Sequence, residues 1–405
     1  MSLFVTRVDG KTLKFLCLKG LVLEKFNEIR PYADEEISEV LGRLLIDQEF
    51  LGSIANFYYP RLTSLLPSLM NWLAKGKLRS QLRDVSDVSS MQDVIAKYME
   101  KMIHDTTTQL THSGMENLKE GRNYLFISNH RDITMDPAFL NYMLYHAGYK
   151  TLQIAIGDNL LKKPFVTDLM RLNKSFIVQR SLKGRELLQA LKLLSEYIYH
   201  CIYNGENVWI AQREGRAKDG VDKTDPALLK MLAMSRRELS FGQSLSELHL
   251  VPVSISYEYD ACDVLKAEEL YALETAGVYT KTEQTDIHSI VTGMVGFKGH
   301  VHVAFGSELE IESDEPDTIA ELIDEQILKN YRLSDANYLA AEELQRTGAL
   351  TDPSLENVIQ KRTVSIDNRQ AFLKRTSVIK SELLPRLLFG YANPLIRKSK
   401  SGYEV

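Results

Sequence analysis

The chain has 405 residues, of which 49 are basic and 54 acidic, a net charge of −5. With 44% hydrophobic and 25% charged residues it has the make-up of a globular protein of two or three domains. The acidic balance argues against a general nucleic-acid binder, so any site for a polyanion has to be local. Taken in chain order, the first segment mixes charges among short apolar runs, with no signal-peptide core. Residues 22–83 carry apolar positions at three- and four-residue steps and are expected to be helical. The polar run 84–90 supplies cap residues for a further helix, read over 91–110.

From about 115 to 310 the pattern changes. β-rich runs at 124–128, 152–156, 175–179, 207–211, 250–257 and 300–306 alternate with helical stretches such as 136–148 and 184–205. This alternation predicts an α/β fold with a largely parallel sheet covered by helices. Pro252 inside the run LVPVSISY suggests an edge or strand-start position. Residues beyond 310 read as helical again. The expected organisation is an N-terminal helical domain (1–88), an α/β core (89–310) and a C-terminal helical extension (311–405).

Cys17, Cys201 and Cys262 are far apart and without metal spacing. They are expected to be reduced thiols of a cytoplasmic protein. No run of about eighteen apolar residues occurs, so no segment is expected to span a bilayer. Two stretches are candidates for peripheral membrane contact, possible at the inner face: 65–83, where Trp72 stands beside Lys75, Lys77, Arg79 and Arg83, and the tail 383–400.

In sheets of this kind ligands bind at the carboxyl ends of strands. Four segments put reactive or phosphate-seeking side chains there: SNHRDITMDP with His130, FIVQRSLKGR with Arg180, Lys183 and Arg185, IAQREGRAK with Glu214, Gly215 and Arg216, and LVPVSISY. Residues 159–192 hold eight Lys/Arg against two acids, a local excess of six positive charges. No His/Asp/Glu cluster has ligand spacing, so no metal is expected.

The four segments, in that order and each tied to a strand, resemble the four-block signature of the glycerolipid acyltransferases, the glycerol-3-phosphate and lysophosphatidate acyltransferase superfamily. The likeness covers roughly 115–310, and RSLKG is similar to the glycerol-3-phosphate branch. The first block departs by one residue, with Asp136 six positions after His130 where the family has five. In the third block Arg216 follows Gly215 directly, where the family has a residue between.

The resemblance implies acyl transfer from acyl-CoA or acyl-carrier protein to a hydroxyl of a phosphate-bearing glycerol acceptor, with glycerol-3-phosphate first and lysophosphatidate or another lyso-lipid second. It implies no cofactor beyond the thioester co-substrate and no nucleic-acid partner. His130 is the expected base. Asp136, followed by Pro137 at a helix start, is expected to orient it in preference to Asp132. Arg180 and Arg216 are the expected phosphate ligands, with Lys183 beside them and Lys218 as a substitute for Arg216. Glu214 and Gly215 are expected in the acceptor site. Two other readings remain: an inactive lipid- or acyl-carrier-binding homologue, and a hydrolase using His130 with Ser128.

Overall fold

A computed structural model describes residues 24–405; Cys17 and the first apolar runs lie outside them. Seven strands form one sheet: β1 (Thr107–Ser113), β2 (Leu125–Ser128), β3 (Leu152–Gly157), β4 (Ser175–Val178), β5 (Asn207–Ala211), β6 (Leu250–Tyr257) and β7 (Gly299–Phe305). Their order is β1-β7-β6-β2-β5-β3-β4, and every pair is parallel except β6–β7. The fold is therefore α/β, with a mostly parallel sheet and helical regions on both flanks in sequence.

Successive side chains of a strand point to opposite faces, and both faces of the central strands β2, β5 and β6 are dry. Leu125, Ile127, Val208, Ile210 and Leu250 enter one core with the helix Gly184–Tyr203. Phe126, Trp209, Val251 and Val253 enter another with the helix Met135–His146. Burial on both sides explains why these strands read as unbroken apolar runs.

Two expectations fail. Residues 107–110, read as the end of a helix, open β1, and the helix Val88–Thr106 stops immediately before it. The sequence TTQLTHS has no apolar alternation; it joins β7 in a parallel backbone ladder, and side chains add to the pairing. Thr111 Oγ1 lies 2.7 Å from His300 Nε2 and 2.8 Å from His302 Nδ1 on β7. Pro252 is neither at an edge nor at a strand start but in β6, between β2 and β7. Its carbonyl accepts from Gly306 N at 2.8 Å, so its nitrogen, on the same side of the strand, faces the point where β7 has already ended. The bond that the proline nitrogen cannot make therefore falls one residue beyond the last β6–β7 pair, Val253–Phe305, at the end of the ladder rather than inside it.

Forty-one residues separate β6 from β7, and they contain the helices Asp263–Ala276 and Glu283–Val295. This insertion packs against the loop after β2. A Cβ at Gly293 would fall 2.1 Å from Asp132 Oδ2, so only glycine permits the approach. The C-terminal helix Leu384–Lys400 buries Leu387, Leu388, Tyr391, Leu395 and Ile396 in a core shared with the helix Asp335–Arg346. Of the two stretches considered for membrane contact, the tail is thus an interior element.

Candidate active site

The parallel strands β2, β5 and β4 deliver three loops to one end of the sheet. The loop after β2 is fixed first. The Asn129 side chain acts as a substitute backbone: Oδ1 accepts from Ile255 N at 2.8 Å and Nδ2 donates to Ile255 O at 3.0 Å. Asn129→Ala would leave both buried groups of Ile255 without partners. A loss of about 2–4 kcal/mol is expected in denaturant unfolding.

His130 follows. Its Nδ1 lies 2.8 Å from Asp136 Oδ2. That oxygen also accepts from the backbone nitrogens of Arg131 (2.7 Å) and Asp132 (2.9 Å), while Tyr257 donates its hydroxyl to Asp136 Oδ1 at 2.7 Å. Asp136 is fully buried in the first turn of the helix Met135–His146, with Pro137 behind it. Burial, then the charge of Asp136, holds the Tyr257 phenol well above its usual range, so it remains a donor. With Nδ1–H donating to the carboxylate, a neutral imidazole carries its lone pair on Nε2.

Asp132 has a different task. Its Oδ1 accepts from Thr134 N and Met135 N, both at 2.9 Å, which caps the helix. Burial, with the nearby charge of Asp136, pushes its carboxyl up, against those two backbone bonds. Among the described residues it makes no hydrogen bond to His130. Ser128 is equally committed: its buried hydroxyl donates to Asn129 O at 2.8 Å and accepts from Trp209 Nε1 at 3.0 Å. It is not a free nucleophile, which removes the basis of the hydrolase reading.

Beneath the loop, Arg131 Nη2 donates to Asp222 Oδ2 at 2.6 Å and to Gly220 O at 3.2 Å, and Lys266 Nζ reaches Arg131 O at 2.7 Å. These buried ionic partners lie far apart in sequence, and no local motif announced them.

His130 opens on a cleft of about 370 Å³. Arg180, Arg213, Glu214, Gly215 and Arg216 line it. One arm is apolar, walled by Ile156, Val178, Leu187, Leu191, Leu194 and Met231. The Trp209 ring stands edge-on to the imidazole, with centroids 5.9 Å apart. Arg180 is positioned by Asp158, which accepts from Arg180 N at 3.1 Å and Ser181 Oγ at 2.6 Å. Its guanidinium lies 3.4 Å from Glu214 Oε1. Gly215, at φ +73°, makes the turn that a bulkier residue would strain. Ala217 N then donates to His130 O at 2.8 Å, tying the two loops together.

Arg216 Nη2 donates to Ser289 Oγ at 3.2 Å, and its buried Nη1 has no hydrogen-bond partner. The shorter third block therefore still presents its arginine to the cleft. Lys218 is engaged elsewhere, 3.2 Å from Glu269 Oε1. Lys183 is exposed at the N-terminal flank of the helix Gly184–Tyr203 and does not line the cleft. Most of the positive excess over 159–192 is likewise spent outside the cleft, Lys163 on Glu49 and Lys174 on Glu206.

The insertion supplies residues that the motif reading missed. Lys281 and Asp286 line the same cleft and, with Arg216, a second cavity of about 370 Å³ beyond it. Lys281 Nζ is 3.3 Å from Glu269 Oε1.

Among known proteins, a family profile described as Acyltransferase matches residues 109–256. The glycerol-3-phosphate acyltransferase of Haemophilus ducreyi is 28% identical over 194 residues, 48% of this chain and 22% of that protein. That of Pseudomonas syringae pv. syringae is 25% identical over 262 residues, 64% of this chain and 30% of that one. The dihydroxyacetone phosphate acyltransferase of Bos taurus is 28% identical over 197 residues, 47% and 26% respectively. These matches thus span less than a third of each relative's length. A crystal structure of a 1-acyl-sn-glycerophosphate acyltransferase from Thermotoga maritima aligns with 76% of this chain and all of its own, at 14% identity and a TM-score of 0.37.

Proposed function

Because this chain carries an acyltransferase domain of the glycerolipid acyltransferase superfamily, we propose that it moves an acyl group from a thioester, CoA or acyl-carrier protein, to a hydroxyl of glycerol-3-phosphate. The observation that carries this reading is the placement of His130. Its Nδ1 is held by a buried carboxylate, and the ring opens on a cleft with one apolar arm and a cationic rim.

In the proposed reaction the acceptor hydroxyl gives its proton to His130 Nε2 as its oxygen attacks the thioester carbonyl. Asp136 keeps the ring in the tautomer that can receive it and stabilises the imidazolium. Collapse breaks the carbon–sulfur bond. The proton on Nε2 returns to the departing sulfur, leaving an ester and a free thiol. The apolar arm takes the acyl chain. Arg180 and Arg216 hold the acceptor's phosphate: a guanidinium offers forked donors to phosphate oxygens, and Arg216 Nη1 is a buried donor still lacking an acceptor. Glu214 helps set Arg180, and Gly215 shapes the loop that carries them.

The acceptor is tested by incubating the protein with a labelled acyl thioester and glycerol-3-phosphate, dihydroxyacetone phosphate or lysophosphatidate, one at a time. Mass spectrometry of the products should show ester mainly on glycerol-3-phosphate. Preference for lysophosphatidate would transfer the site to the lyso-lipid reading. Lys281 is expected to add to the phosphate cradle from the insertion. Lys281→Ala should raise the acceptor KM roughly tenfold, the value of one charge-assisted hydrogen bond. The KM for the thioester should stay as it was, and an unchanged acceptor KM would remove Lys281 from the site.

A further inference from the structure

The insertion between β6 and β7 sets one stripe of a helix against the site. Gly293, Ser289 and Asp286 recur at four- and three-residue steps along Glu283–Val295, so they share a face. Gly293 lets the helix close on Asp132, in the loop that carries His130. Ser289 Oγ accepts from Arg216 Nη2 at 3.2 Å, and Ser289 O accepts from Cys262 Sγ at 3.4 Å. The helix is thus pinned at two points of the stripe, and the next point, towards its N-terminus, is Asp286.

Asp286 lines the main cleft together with His130, Arg180 and Arg216, and also the cavity beyond it. It is partly exposed, and among the described residues it makes no hydrogen bond or ion pair. The other two acids of the cleft wall are occupied, Glu214 beside Arg180 and Asp225 as the cap for Ala227 N. The neighbouring cations are engaged as well, Arg216 with Ser289 and Lys281 with Glu269. An unpaired carboxylate is out of place in a cleft that collects phosphate, because it repels the anion that the arginines attract. An ionised carboxylate only accepts hydrogen bonds. The group that suits it is a hydroxyl on the same molecule as the phosphate. Glycerol-3-phosphate has two hydroxyls. The primary one is the less hindered nucleophile, which leaves the secondary one free to donate.

Resting on the acyl-transfer reading of this cleft, we propose that Asp286 determines acceptor specificity: its carboxylate accepts from the secondary hydroxyl of glycerol-3-phosphate while the arginines hold the phosphate and the primary hydroxyl stands at His130. Acceptors with no donor at the central carbon are then penalised. Dihydroxyacetone phosphate places a carbonyl oxygen there, which meets the carboxylate as a second acceptor. The deoxy analogue, propane-1,3-diol phosphate, has only hydrogen at that carbon. Initial rates with a palmitoyl thioester, and binding without it by calorimetry, are measured for these three phosphates on the full chain, on Asp286→Ala and on Asp286→Asn.

A hydrogen bond to a charged acceptor is worth roughly ten- to a hundredfold, so the parent's kcat/KM for glycerol-3-phosphate should exceed that for the deoxy analogue by that factor. In Asp286→Ala the glycerol-3-phosphate value should fall to the level of the deoxy analogue, whose own value stays unchanged, and dihydroxyacetone phosphate should improve. Asp286→Asn keeps an acceptor oxygen and gains an NH₂ group that can donate to the ketone. It should retain part of the hydroxyl preference and improve dihydroxyacetone phosphate further. An acid that merely favours the first turn of its helix would move none of these ratios. Equal losses on all three acceptors would overturn the proposal, since Asp286 would then serve the phosphate-binding cations. So would an Asp286→Ala protein that keeps the parent's preference, or a parent that distinguishes none of the three; ester formation in either case would leave the transfer reading intact. A binding preference abolished by Asp286→Ala in a protein that forms no ester would uphold this assignment and remove the transfer reading.

Discussion

His130→Ala is expected to lose between two and four orders of magnitude in the rate of acyl transfer with little change in stability. The general base contributes on that order. The ring contributes little to the core, because it packs at the cleft edge against Trp209 rather than inside either sheet face. Its loss would remove one of four hydrogen bonds on Asp136 and leave those from Arg131 N, Asp132 N and Tyr257 in place. Circular dichroism and a thermal melt alongside the assay separate the effects. A near-parental rate in a folded His130→Ala protein would end the mechanism.

Asp136→Asn is expected to be as damaging, about 10⁴ in rate, the cost of the same change in a comparable Ser-His-Asp triad. With its oxygen kept on the two backbone donors, which share Oδ2 with the imidazole, the amide would turn its NH₂ towards Tyr257 and leave His130 only a neutral acceptor, without the charge that stabilises the imidazolium. In the flipped orientation NH₂ would face Nδ1, at the expense of both backbone bonds, and favour the tautomer with the proton on Nε2, the atom that has to accept one. Two companion variants make the assignment specific. Asp132→Asn retains a capping oxygen for Thr134 N and Met135 N and should cost less than tenfold, since asparagine caps helices nearly as well as aspartate. Tyr257→Phe removes one neutral donor to the carboxylate, a bond worth about 1–3 kcal/mol when the acceptor is charged. Its effect should therefore fall on kcat, by roughly ten- to a hundredfold, with the acceptor KM unchanged. If Asp132→Asn proved the more damaging of the two aspartate changes, the orienting role would belong to the shorter loop contact.

Legibility in the sequence followed the physics of each element. Strands buried on both faces advertise themselves as apolar runs, so β2 to β7 could be read directly. β1 is an edge strand held by its backbone ladder to β7 and by threonine–histidine contacts, and no apolar pattern shows that. The His130–Asp136 pairing was readable because Pro137 marks a helix start, and an aspartate in that first turn points back at the strand end. The extra residue in the loop is taken up without separating the pair.

Tyr257, Arg131–Asp222 and Lys266 were out of reach. They support the loop across gaps of about ninety to 135 residues, and only the fold brings them together. Lys281 was missed for another reason: it lies in the insertion after β6, past the last recognisable block. Lys183 shows the opposite error. A basic residue in a phosphate-seeking run was credited to the site, but the turn into the Gly184–Tyr203 helix carries it to the surface. The two stretches considered for membrane contact had similar sequences, and burial alone separates them: the tail helix fills a core, whereas Leu65, Leu66, Leu69, Trp72 and Leu73 of the other stretch are exposed.

The central claim, that this cleft transfers an acyl group with His130 as base, is tested most directly by acceptor-dependent thiol release. Palmitoyl-CoA and palmitoyl-carrier protein are supplied separately, with and without glycerol-3-phosphate, to the parent protein and to His130→Ala, and free thiol is followed with a chromogenic disulfide. The account predicts release by the parent that rises with glycerol-3-phosphate on at least one donor, and release by His130→Ala lower by at least a hundredfold. Tight binding of a donor with no thiol release, either with glycerol-3-phosphate or when dihydroxyacetone phosphate or lysophosphatidate takes its place, would contradict it and identify the chain as an acyl-carrier or lipid binder.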